Sequence, residues 1–87
     1  MNQKDINDLY DAIVSIDNKE DCKDFLDDLC TYKEIEQFSQ RFKAAKLLSK
    51  GDTYEQVTAK TDISSATLSR VSRCLKFGKG YKKIINK

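Results

Sequence analysis

The run TDISSATLSRVSR, Thr61–Arg73, decides how this chain is read. It is polar and rich in hydroxyls, yet Leu68 and Val71 stand three apart, the spacing of one helix face, and Leu75 continues the stripe. Ser64 or Ser65 can cap such a helix, because a serine oxygen accepts a hydrogen bond from a free N–H of the first turn. That leaves Ser64, Ser65, Ala66, Thr67 and Ser69 facing outward near its N-terminal end. Asp62 falls at the preceding turn, where a residue tolerant of a left-handed backbone is expected.

Working upstream, Thr53-Tyr-Glu-Gln56 has the spacing of a capping box and opens a short helix with Tyr54, Val57 and Thr61 on its inner side. Gly51 is a natural terminator for the helix before it, with Lys46 and Lys50 near the negative end of the dipole. That third helix opens with a second capping box, Thr31-Tyr-Lys-Glu34, and carries Ile35, Phe38, Phe42, Ala45 and Leu48. Before it, Cys22, Phe25, Leu26, Leu29 and Cys30 line a helix expected to be capped by Asp17 with Glu20, and Ile6, Leu9, Tyr10, Ile13 and Val14 line a first helix. Downstream, after Gly78-Lys-Gly80, Tyr81, Ile84 and Ile85 suit either a short last helix or apolar side chains folded onto another subunit. With no proline, three glycines and no strand-like alternation, the chain reads as all-α.

Charge divides the chain. Residues 1–36 hold four basic and eleven acidic side chains, a net of −7, whereas residues 37–87 hold twelve basic and three acidic, a net of +9. Such a split points to a basic surface for a polyanion and an acidic region facing elsewhere. A chain of 87 residues suits one domain that leaves much apolar surface uncovered, which favours a homo-oligomer. No apolar run approaches the roughly 20 residues that span a bilayer, and the N-terminus lacks a signal-peptide layout, so a cytoplasmic protein with no membrane association is expected. Cys22 and Cys30 are about 12 Å apart along one helix, too far to bridge, and with Cys74 read as reduced core thiols. Without histidine or Cys-x-x-Cys no metal site or cofactor is expected. Without histidine, a glycine-rich phosphate loop or an acid pair in an apolar setting, the chain is not expected to be an enzyme.

Two short helices joined by a tight turn, the second bearing small polar residues at its start and arginines beyond, describe a helix-turn-helix. Such a helix must enter a major groove about 12 Å wide, where serine and threonine hydrogen-bond base edges and an alanine or threonine methyl touches a thymine methyl. Ser64, Ser65, Ala66, Thr67 and Ser69 are the candidates for base contact, with Gln56 and Lys60 close enough to reach bases or phosphates. Lys43, Arg73, Lys76 and Lys79 suit phosphates; Arg70 suits either role or an inward position. Tyr54, Phe77 and Tyr81 read as core residues rather than stacking platforms. The expected partner is double-stranded DNA and the expected function transcriptional regulation; the alternative is a helical module that docks an acidic partner protein on the same scaffold.

Residues 29–76, LCTYKEIEQFSQRFKAAKLLSKGDTYEQVTAKTDISSATLSRVSRCLK, resemble the Trp repressor superfamily, and more closely its YerC/YecD-like branch. The resemblance runs through Leu29-Cys30-Thr31, Gln40-Arg41-Phe42, Leu47-Leu48-x-x-Gly51 and, most specifically, Ser65-Ala66-Thr67-Leu68-Ser69-Arg70, which is similar to the family's Ile-Ala-Thr-Ile-Thr-Arg recognition helix. It implies an intertwined all-α homodimer, a repressor, whose N-terminal helices interlock and whose two helix-turn-helix units meet successive major grooves of a near-palindromic operator with half-sites one helical turn apart.

 Residues 1–87 then form a single domain, with dimerisation helices in 1–50, the helix-turn-helix in 53–77 and a C-terminal segment in 78–87.

In the tryptophan-responsive members a threonine, an arginine of the third helix and an arginine of the recognition helix surround the corepressor, and the resemblance carries these roles to Thr31, Arg41 and Arg70. Val71 and Cys74 stand where those members have glycine and serine, so the resemblance implies a filled indole space. Tryptophan is therefore not the expected effector, and a different small molecule is left open.

Overall fold

The computed structural model describes residues 2–87, which form six α-helices and no strand: α1 (Gln3–Ser15), α2 (Lys19–Leu29), α3 (Tyr32–Ser49), α4 (Tyr54–Lys60), α5 (Ser65–Phe77) and α6 (Gly80–Ile85). They fall into two compact units, Met1–Ile35 and Glu36–Lys87. None of the described helices is long and apolar enough to cross a membrane.

In the first unit, asparagines cap both helices. Asn2 accepts from the Lys4 N–H at 2.8 Å, and Asn18 accepts from the Asp21 N–H at 2.8 Å. The expected Asp17–Glu20 box is thus displaced by one residue. The Asn18 carboxamide also donates to Asp17 and Asp21, at 2.8 and 2.9 Å, so it satisfies an amide and two carboxylates where an aspartate cap would add negative charge. The Thr31 box forms: the Thr31 N–H donates to Glu34 at 2.8 Å and the Glu34 N–H to the Thr31 hydroxyl oxygen at 3.1 Å. The Thr31 backbone N–H, helped by its hydroxyl, holds the Glu34 carboxyl below its ordinary pKa. Neither α1 nor α2 buries a residue, and Leu9, Tyr10, Ile13, Val14 and Leu29 are exposed.

The second unit contains the core, made of Ala44 and Ala45 from α3, Val57 from α4, and Leu68 and Val71 from α5. Leu47, Leu48, Ile63, Tyr81 and Ile85 pack around it. Burying Val57, Leu68 or Val71 contributes about 1.5–3 kcal/mol each. Ala44 and Ala45 are fully buried in this core. This differs from the expected inner stripe: Phe38 and Phe42 are exposed, with the Lys46 ammonium 4.9 Å from the Phe42 ring centre. Tyr54 and Phe77, expected in the core, are also exposed, Phe77 by 83%. The cysteines are free, as expected, but Cys22 and Cys30 are half-buried and Cys74 is exposed, so none belongs to the core.

Candidate nucleic-acid interface

The helix-turn-helix is assembled from local signals. Gly51 ends α3 with φ of 106°, the left-handed conformation that glycine adopts without a Cβ penalty. The Thr53–Gln56 capping box then starts α4: the Gln56 N–H donates to the Thr53 hydroxyl at 3.2 Å, and the Thr53 N–H to the Gln56 side-chain carbonyl at 2.8 Å. The Thr61 hydroxyl donates to the Val57 carbonyl at 2.9 Å near the end of α4. Ser64 caps α5, accepting from the Thr67 N–H at 3.2 Å while its hydroxyl donates to the Thr67 oxygen at 3.1 Å.

The turn itself departs from expectation. Asp62 is not left-handed, since no described residue other than glycine has a positive φ. Its N–H instead donates to the side-chain carbonyl of Gln40, on α3, at 3.1 Å. A tertiary hydrogen bond satisfies the amide, so no left-handed residue is required.

Leu68, Val71 and Ser72 are buried on the inner face of α5. On the outer face Ser65, Ser69, Arg73 and Lys76 follow one another at intervals of three or four, with Ala66 and Arg70 alongside, and all six are exposed. Small hydroxyl and methyl groups thus occupy the N-terminal end and cations the remainder. None of Arg70, Arg73 and Lys76 joins an ion pair among the described residues. Thr67 is half-buried and holds the cap; Lys43 and Lys79 are exposed. Gln56 is exposed with its carbonyl engaged by Thr53. Lys60 is drawn 2.8 Å from Asp52, whose side chain is only 15% exposed.

Of the residues carried over as an effector pocket, Thr31 belongs to the first unit and Arg41, Arg70, Val71 and Cys74 to the second. Thr31 caps α3 at the end of the first unit. In the second, Arg41 is half-buried beside Phe38, Arg70 is on the outer face of α5, and Val71 is packed in the core at 2% exposure. Cys74 lines an open apolar hollow of about 470 Å³ with Phe42, Gly78, Gly80, Tyr81 and Ile84. Sequence reasoning passed over Gln40, Asp52 and Ser72. The one available signal was periodicity: Gln40 lies four residues before Ala44 on the small-residue face of α3.

Comparison with known proteins agrees with this architecture. Residues 4–87 match the Trp repressor protein family. The uncharacterised protein YerC of Bacillus subtilis is 43% identical over 75 residues, covering 86% of this chain and 72% of that relative. A crystal structure of a candidate Trp repressor from Staphylococcus aureus superposes with a TM-score of 0.90 at 40% identity, covering 95% of this chain and 84% of the other. A TrpR-like protein from Eubacterium eligens gives a TM-score of 0.90 at 39% identity, covering 95% and 87%.

Proposed function

The chain belongs to the Trp repressor family, and on that premise we propose that it is a homodimeric transcriptional regulator, a repressor, that reads the major groove of a near-palindromic operator through α5. The observation that carries this reading is the outer face of α5. Ser65, Ala66 and Ser69 are exposed at its capped end, and Arg70, Arg73 and Lys76 follow as cations without ion-pair partners among the described residues. Hydroxyls and a methyl suit base edges, and unpaired cations suit phosphates. Dimerisation is supported by the apolar side chains left exposed on α1, α2 and α3, among them Tyr10, Val14, Leu29 and Phe38. The division into dimerisation helices, helix-turn-helix and C-terminal segment follows from the same reading.

Val71, buried where tryptophan-responsive members carry glycine, supports a regulator that does not use tryptophan as its corepressor. Selection of bound genomic fragments, with and without pooled metabolites, tests the function and its effector dependence together. Enrichment of near-palindromic sites, with affinity falling steeply between about 50 and 200 mM salt, is expected. Absence of duplex binding at the lower salt would overturn the proposal and favour an acidic protein partner.

A further inference from the structure

Backbone polar groups in a turn need partners, and the α4–α5 turn obtains one from a distance. Thr61 ends α4 in an extended conformation, φ −131° and ψ 167°, so the next N–H, that of Asp62, leaves the helical ladder. Its acceptor is Gln40, 22 residues away on α3. Among the described residues, no other hydrogen bond outside the helical ladders joins groups more than eight residues apart.

Elsewhere α4 and α5 meet α3 through the apolar cluster of Ala44, Ala45, Val57, Leu68 and Val71, with Leu47, Leu48 and Ile63 packed against it. Hydrophobic burial is non-directional, so these contacts hold the helices together more firmly than they fix their angle. A hydrogen bond is directional, and this one acts two residues before the Ser64 cap, where α5 begins.

We propose that Gln40 is a positioning residue for operator recognition: by holding the Asp62 amide it sets the angle at which the start of α5 leaves the turn, and so sets discrimination between operator and unrelated DNA without touching either. This rests on the DNA-binding reading of α5. Flexible lysine and arginine side chains follow a small tilt of the helix and keep their phosphates, whereas short serine and threonine side chains lose base edges. The role therefore appears in specificity more than in affinity.

The test compares Gln40→Met, which keeps length but removes the oxygen acceptor, with Gln40→Glu, which retains one. The readout is the ratio of the dissociation constant for an unrelated duplex to that for a selected operator of equal length, at fixed salt. Gln40→Met should lower the ratio about fivefold per half-site, and Gln40→Glu should restore it to within about twofold although its charge weakens both complexes. Amide exchange of the free protein should show Asp62 protected in the wild type and the glutamate variant only. An unchanged ratio in Gln40→Met, a glutamate variant as indiscriminate as the methionine one, or an unprotected Asp62 in the wild type would overturn the proposal. Should Gln40→Met fail to fold, the glutamate ratio and the wild-type exchange decide. A wild type that binds no duplex while Asp62 stays protected would overturn the DNA-binding reading and this role with it, but leave the hydrogen bond standing.

Discussion

Replacing Gly78 with alanine should loosen the junction between α5 and α6. Gly78 has φ −85° and ψ −177°, a conformation open to any residue, so the cost does not lie in the dihedrals. It lies in space. The Gly78 N–H donates to the Cys74 carbonyl at 2.8 Å, and an added Cβ would stand 2.6 Å from that oxygen. A carbon–oxygen contact needs about 3.3 Å, so roughly 0.7 Å of backbone displacement is required. Overpacking of this kind costs about 1–3 kcal/mol, and each kcal/mol lowers Tm by about 4–8 °C in a domain of this size. The displacement bears on Tyr81 and Ile85, which pack against the core.

The other glycines supply the controls. A Cβ at Gly80 meets nothing within 4 Å, so Gly80→Ala should stabilise by about 0.4–1 kcal/mol through the unfolded chain. Gly51→Ala also meets nothing, but at φ 106° it pays about 1–2 kcal/mol for the left-handed backbone. Urea unfolding followed by circular dichroism, at one protomer concentration, reads the midpoints. A Gly78→Ala midpoint at or above the wild type, or below which Gly80→Ala falls, would refute the steric reasoning.

Thr53→Ala removes the acceptor for the Gln56 N–H and should cost about 1 kcal/mol, seen as a lower urea midpoint. Asp52→Asn weakens the hold on Lys60 and removes a negative charge; duplex affinity at low salt should rise and the salt slope steepen by up to about 1 per half-site, measured by titration across salt concentrations. Because the folded Glu34 carboxyl lies below its ordinary pKa, its stabilisation is present above the unfolded value of about 4.3 and is lost as pH falls through the folded one. Gln at that position keeps a carbonyl acceptor without titrating, so the stability of Glu34→Gln should fall less with acid over that window, measured by thermal unfolding at a series of pH values.

What the sequence determined by itself was local. Thr31, Thr53 and Ser64 cap their helices through groups three residues away, and Gly51 ends α3 through its own backbone, so these signals act wherever the helices sit. With the three-four spacing of Leu68, Val71 and Leu75, they were enough to read an all-α chain with a helix-turn-helix. Tertiary structure decided which groups met across longer separations. Both faces of α3 are apolar in sequence; the one carrying Ala44 and Ala45 is covered by its own chain because small side chains admit Val57, Leu68 and Val71, while Phe38 and Phe42 stay exposed. Asp62 escaped a left-handed turn because Gln40, far away in sequence, supplied its acceptor, and no local pattern records a partner that only packing brings within 3.1 Å.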